Sequence, residues 1–454
     1  MISFHDVIGV GFGPANLALA IALKESISSL DVLFLETQDQ SHWHPHAMFH
    51  GSDIQNHPLR DLVTPRNPRS QYTFINFLKE HGRLFEFLNL GITFPLRTEY
   101  AQYLLWVADH FAGAVRYNER VTSIQPVFAS GGNHQGYHVV TNRGQYFGRG
   151  VVLAPGRSPF MPEVLAAMND ARVVHFTRIL QVLERLDEAG APPARVAVVG
   201  GSQSAVEVTL ELRTRYPRAQ IYNVLRTFGF RQKDLSPFTG EVYFPEYCDL
   251  YFDTDGPRKQ ELDEDLRFTN YSSADHDVLD ALYLQLYEDK ILERNKGAIY
   301  NLCDIESADA VPSGIALRLK DRFRSRTSCL EVDLVVAATG FRDLGRRGNQ
   351  ERLPELLRGM ESHLQLDHHG CIVVERNYDV RTRDTLSRSC PLVLNGLCET
   401  SHGMGDAGSF SLLALRSERI LSVLTDSISQ QPIAIHPTPS APRGEIVEDR
   451  HDAR

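Results

Sequence analysis

Gly9, Gly11 and Gly13 are spaced two residues apart in "GVGFGPAN", directly after the apolar run "DVIGV". Between a strand and a helix, that spacing permits a tight turn and lets a diphosphate approach N–H groups at the helix start. Gly9 is read as the turn out of the strand and Gly11 as the point of close approach. Pro14 takes the usual third glycine position and suits a first helical turn, having no N–H to leave unpaired. Glu36 closes the next apolar run, "VLFLE", 27 residues after Gly9. A carboxylate there can accept ribose hydroxyls and would repel a 2′-phosphate, so the site suits FAD or NAD rather than NADP. A second string, Gly200, Gly201, Ser202, Gln203 and Ser204, again separates an apolar strand from a helical pattern. The strand that follows ends on Arg226, with Arg231 and Lys233 close behind. Cations at that position suit a 2′-phosphate; a solvated basic turn is the alternative. The sites are assigned to FAD and NADPH respectively, which implies hydride transfer from nicotinamide to flavin. No CxxC is present, so the acceptor is oxygen, a quinone or another small molecule, and a flavin monooxygenase is the most economical reading.

These residues need two strand–turn–helix–strand units to hold them. The first runs through "DVIGV", "LALAIALKE" and "DVLFLE", the second through "ARVAVVGG", "SQSAVEVTLELRTRYP" and "AQIYNVLR". Residues 70–115 carry aromatics and leucines at helical spacing and are expected to pack on the first unit. The fold class is α/β, with two Rossmann-like dinucleotide-binding domains and a small substrate-binding region. Residues 1–165 form the first part of the FAD domain. Residues 166–330 form the NADPH domain with part of the substrate region. Residues 331–428, from "EVDLVVAATGF" through a last long helix, return to the FAD domain, and the proline-rich segment 429–454 reads as a disordered tail.

At 454 residues, with 42% hydrophobic and 23% charged side chains, the chain has ample material for a core. A net charge of −10 speaks against a nucleic-acid partner. No run approaches a membrane span, and six scattered cysteines fit reduced thiols in the cytoplasm. No His, Cys or acidic spacing suggests a metal.

Longer strings carry a resemblance. "HDVIGVGFGPANLALAIAL", "WHP", "LRDLVTPRNPRSQYTFINFL", "GGSQSAVEV", "SPFTGEVYFPE", "TNYSSADHDVLD", "VVAATGF" and "HGMGDAGSFSLLALR" lie in order between residues 5 and 420. Together they resemble the flavin-dependent N-hydroxylating monooxygenases, the L-ornithine N5- and L-lysine N6-monooxygenase family of hydroxamate siderophore pathways. The fingerprint of the Baeyer–Villiger group is absent. The resemblance implies reduction of FAD by NADPH, a C4a-hydroperoxide formed with oxygen, and attack on it by the terminal amine of a basic amino acid, L-ornithine first. The partners are a small amine and oxygen, and a homo-oligomer, dimer or tetramer, is implied as well. An alkylammonium with a pKa of about 10.4 is no nucleophile, so the site must favour the neutral amine. A buried, dry chamber between the domains is expected.

By the same resemblance Gln55 lies beside the flavin ring, next to Trp43 and His44. Asn270 contacts the substrate carboxylate near NADP, and Gln55 and Asn270 are the catalytic candidates. Arg226 takes the 2′-phosphate, and His402 and Asp406 head the helix covering the pyrimidine end of the flavin. Arg60 stands where the ornithine enzymes carry lysine, and can still bind a carboxylate. Gly240 replaces a substrate-binding asparagine, and the segment "HGMGDAGSFSLL" is one residue longer than the family pattern. These departures leave lysine, arginine or a diamine as alternative substrates. Another two-dinucleotide flavin monooxygenase or reductase is the more distant reading.

Overall fold

The computed structural model describes residues 3–428; the expected tail, 429–454, lies outside them. The first apolar run forms the strand Ser3–Val10, the helix Pro14–Glu25 follows the glycine turn, and Val32–Leu35 returns parallel to the first strand. Val115–Arg116 extends this sheet on one side and Gln145–Leu153 on the other. Gln145–Leu153 is shared. Its early residues pair antiparallel with His134–Thr141, which continues to Val121–Phe128, while Val151–Leu153 pair with the late strand Leu392–Leu394. Helices Phe74–Glu80, Leu84–Leu90 and Arg97–Asp109 pack on this unit, as their aromatic spacing predicts, burying Phe74, Phe77, Tyr100 and Tyr103.

The second unit is an all-parallel five-stranded sheet, in the order Ile299–Tyr300, Gln220–Val224, Arg195–Val199, Leu334–Ala337 and Val173–His175. Leu334–Ala337 corrects the expected boundary: this strand, read as the start of the returning first domain, lies inside the second sheet. Val335 and Val336 are fully buried, as a central parallel strand covered on both faces requires. A small antiparallel sheet, Cys303–Val311, Gly314–Asp321 and Thr327–Val332, packs Leu317 and Leu330 against the second sheet through Ala197 and Val335. The chain then re-enters the first unit, and the described residues end in the helix Leu413–Ile428, which buries Ile420 and Leu424 in the first core.

Candidate active site

A cavity of about 710 Å³ opens between the two units, lined by Gly11, Gly13, Pro14, Glu36, Trp43, His44, Gln55 and Asn270 among others. Gly11 makes the turn, with φ +83°, and a Cβ there would stand 2.3 Å from the Ala154 carbonyl oxygen. Gly9 has a different role from the one expected. It sits in the strand without a left-handed φ, and the missing Cβ admits the Phe34 ring, which a methyl would meet at 2.3 Å. Gly13 precedes the helix and has open space where a side chain would be. Glu36 is 8% exposed, and its carboxylate accepts from Phe12 N–H at 2.7 Å and Gln38 N–H at 2.9 Å. Each oxygen keeps a further lone pair for a ribose hydroxyl. An open helix start beside such a carboxylate fits an adenine dinucleotide. Trp43 packs edge-on to Tyr100 and Phe410, walling one side with aromatic surface. His44 opens onto the cavity, exposed there but ringed by protein atoms. Its pKa is lowered to about 4, by burial first and then by Arg97 and Arg157, so the ring is neutral at physiological pH.

Gln55 is held at φ +52°, a left-handed conformation that is costly for a side-chain-bearing residue. Its amide donates to Asp275 Oδ2 at 2.5 Å and its oxygen lies 3.4 Å from Lys233 Nζ. Asp275 N–H in turn donates to Gln203 Oε1 at 2.8 Å, and Gln203 Nε2 donates to Glu207 at 3.0 Å. Glu207 accepts two bonds from Arg97 Nη2, at 3.0 and 3.1 Å. A continuous polar chain therefore joins the wall of the first cavity to the second glycine turn. Burial raises the pKa of Asp275 and lowers that of Lys233, and Asp53 is pushed up to about 6 by burial and nearby acids. Gln203, expected among the NADPH-site residues, instead commits its side chain to Asp275 and Glu207, and its N–H donates to Ser273 O at 2.9 Å.

Gly200, with φ +142°, brings the second turn against the Ala338 carbonyl, where a Cβ would stand 2.2 Å away. Gly201, Ser202 and Ser204 surround the start of the helix Gln203–Arg215. Arg226 is exposed, and none of the ion pairs among the described residues involves it, so its guanidinium is free for a phosphate. Lys233 does not join it. The chain turns back, stacks Arg231 over the Phe268 ring at 4.6 Å, and buries Lys233 in the cavity between the units.

His402 and Asp406 do not line the cavity. His402 is 1% exposed, stacked on Tyr378 with centroids 4.2 Å apart, and its ring nitrogens meet the Arg376 carbonyl and the Ser401 hydroxyl. Asp406, fully buried, accepts from Tyr378 at 2.9 Å and from Arg416 at 3.1 Å. Arg416 does line the cavity, and it donates to Asn395 Oδ1 at 3.0 Å. Asn395 donates to Asn16 Oδ1 at 2.9 Å, and Asn16 to the Gly11 carbonyl at 2.7 Å. Asp406 thus acts on the glycine turn through three intermediaries that the sequence reading missed. A guanidinium at 416 within the apolar side of the last helix was the available signal.

Asn270 lines the cavity, but Arg60 and Gly240 do not. Arg60 stands over the outer face of Tyr243, 5.9 Å from its centroid, and it is Tyr243 that faces the cavity. Gly240 lies in the turn Thr239–Tyr243, with no heavy atom within 4 Å of a built Cβ and no left-handed φ.

Residues 3–343 match the family described as L-lysine 6-monooxygenase/L-ornithine 5-monooxygenase. An L-ornithine N(5)-monooxygenase of Pseudomonas aeruginosa is 34% identical over 429 residues, 92% of each chain. The Kutzneria sp. 744 ornithine N-hydroxylase, solved with reduced FAD, NADP⁺ and L-ornithine, superposes with a TM-score of 0.86 at 32% identity, covering 93% of this chain and 99% of that one. The L-lysine 6-monooxygenase of Pseudomonas syringae superposes at 0.83 with 35% identity, over 93% and 100%. With one glycine turn opening on the chamber, a second tied to it through Asp275 and Gln55, and relatives aligned along nearly its whole length, the chain belongs to the L-lysine 6-monooxygenase/L-ornithine 5-monooxygenase family.

Proposed function

We propose that the protein hydroxylates the terminal amine of a basic amino acid, L-ornithine at N5 foremost, using FAD, NADPH and oxygen. The observation that carries this reading is the chamber between the two units, where the Gly11 turn, Glu36, Gln55 and Asn270 face one space and the second glycine turn is tied to Gln55 through Asp275. When bound, FAD takes hydride from NADPH and activates oxygen for transfer of one atom to the amine. The Gly11–Gly13 turn holds the diphosphate of FAD and Glu36 its ribose, while Arg226 takes the 2′-phosphate of NADPH. Trp43, Tyr100 and Phe410 keep water from the reacting end. Arg157 and Lys233 line the chamber, and such cations favour loss of a proton from an alkylammonium beside them. An N-hydroxylated side chain is the building block of hydroxamates, which supports siderophore or related synthesis as the setting of the reaction. L-Lysine, L-arginine or a diamine is the second reading, resting on the departures at Arg60 and Gly240 from the family pattern.

Among the described residues no helix is long and apolar enough to cross a membrane, in keeping with a cytoplasmic enzyme. Tyr283, Leu284, Tyr287 and Ile291 form an exposed apolar stripe on the helix His276–Ile291, 56–74% exposed. That stripe supports a homo-oligomer, dimer or tetramer, to be checked by light scattering. The decisive test of function is a panel of ornithine, lysine, arginine and diamines scored by product mass. Hydroxylated ornithine with NADPH preferred over NADH is the expected result. Consumption of NADPH and oxygen without any hydroxylated amine would refute the assignment.

A further inference from the structure

Four ionisable side chains from four separate segments meet behind Phe341 at the cavity wall. Arg157 comes from the crossover after the strand Gln145–Leu153, Tyr271 from the residue after Asn270, Asp343 from just beyond the second sheet, and Glu399 from the short helix Glu399–His402. Arg157 and Phe341 line the cavity, and the guanidinium lies 5.4 Å from the Phe341 centroid. Tyr271 donates to Glu399 Oε2 and accepts from Arg157 Nη1 at 3.1 Å, and that nitrogen is 3.6 Å from Glu399 Oε2. Asp343 is 8% exposed. One of its oxygens accepts from Leu344 N–H at 2.7 Å, whereas Oδ2 has no donor. Asp343 lies on the short strand Asp343–Leu344, against which the helix Glu399–His402 packs, so Glu399 is its neighbouring carboxyl there.

Two carboxyls face one guanidinium. Asp263 and Asp406, the further charged groups that act on the pair, add more negative charge. Burial raises the pKa of both Asp343 and Glu399. A buried acceptor without a donor is costly, and a proton carried by the neighbouring carboxyl removes that cost. The Tyr271 hydroxyl connects the pair to the chamber. A Cβ at Gly408 would stand 2.7 Å from this oxygen and 2.8 Å from Asn270 Nδ2, and Gly408 and Asn270 both line the cavity. The hydroxyl therefore reaches the wall because residue 408 has no side chain.

We infer that Asp343 and Glu399 hold one proton between them and exchange it with the chamber through Tyr271, as the proton store of amine hydroxylation. The inference rests on the reading given under Proposed function. The reaction converts an alkylammonium, NADPH and oxygen into a hydroxylamine, NADP⁺ and water. The nicotinamide hydride supplies two electrons and the amine nitrogen, which is oxidised, the other two; one oxygen atom bonds to nitrogen and the other leaves as water. The ammonium surrenders one proton before it can attack, and the departing oxygen takes one up, so the pair, holding one proton at rest, gains a second in the first transfer and returns to one in the second.

Infrared spectra of the FAD-loaded protein at neutral pH test the shared proton. A protonated-carboxyl stretch that shifts in deuterium oxide is expected, absent in Glu399→Gln and in Asp343→Asn and retained in Tyr271→Phe. Hydroxylamine formation tests the route. Tyr271→Phe should lower kcat/KM at neutral pH on the order of 10²-fold, with the deficit shrinking as the pH rises toward that of the free amine, because solvent then delivers a neutral nitrogen. A missing band, a band that survives both carboxyl variants, or a Tyr271→Phe deficit independent of pH would overturn the inference. A protein that hydroxylated no amine would defeat the functional reading and the catalytic role together, while the band would still decide whether the proton is shared.

Discussion

Arg416→Met is the most informative single change for the first site. The Arg416–Asp406 pair is buried, with side chains 3% and 0% exposed, and the guanidinium also donates to the Asn395 oxygen. Replacing arginine by a side chain of similar reach leaves Asp406 with Tyr378 as its remaining donor. Breaking one side of a buried pair costs about 3–5 kcal/mol, a factor of roughly 10²–10⁴ in the folding equilibrium. Asn395 loses its donor as well, so the damage reaches Asn16 and the Gly11 turn. Trp43 and Trp106, the two tryptophans of the chain, both pack in the first unit. Urea unfolding followed by tryptophan fluorescence on FAD-free protein therefore reports this unit without a contribution from ligand binding. The double variant Arg416→Met/Asp406→Leu, which removes the stranded carboxyl, should recover most of the loss. A loss below about 1 kcal/mol for the single variant, or a double variant no more stable than the sum of its parts, would refute the account.

Arg226→Ala should weaken NADPH by roughly 10–100-fold, the worth of a charged hydrogen bond, with NADH unaffected; the ratio of kcat/KM for the two coenzymes is the measurement. Gly240→Asn should leave the thermal midpoint unchanged, because its Cβ meets open space. The ornithine KM should stay unchanged as well, because residue 240 does not line the chamber; a KM lowered several-fold would show that the new amide reaches the amine. Gly11→Ala should yield protein that does not retain FAD, since a left-handed φ and a carbonyl 2.3 Å from the new methyl displace the turn. Absorbance of the bound flavin after gel filtration reads this directly.

Both strand–turn–helix units were legible because their signals are local: an apolar run, glycines, then a change of period. The aromatic helices before residue 115 were legible for the same reason. The sheet that receives Leu334–Ala337 was not, since a four-residue apolar run fits either parallel sheet equally well. Lys233 shows how sequence proximity misleads. Seven residues after Arg226, it looks like part of one basic cluster, but the bend at 226–229 sends it into the chamber. His402 and Asp406 are polar residues at helix entries, a pattern shared by ligand contacts and by satisfied core groups; only their partners, Tyr378, Arg376 and Arg416, distinguish the two. Gln55 and Asp275 lie 220 residues apart, and no local pattern announces such a bond.

The late strand Leu392–Leu394 closes a sheet whose other members are all complete by Leu153. At a synthesis rate of ~5–20 residues per second, the intervening stretch of about 240 residues takes roughly 12–48 s to emerge from the ribosome. Every strand of the parallel five-stranded sheet is translated within that interval. The newborn chain thus finishes its middle before its beginning, and a bare strand edge must be shielded from other nascent chains until Leu392–Leu394 arrives.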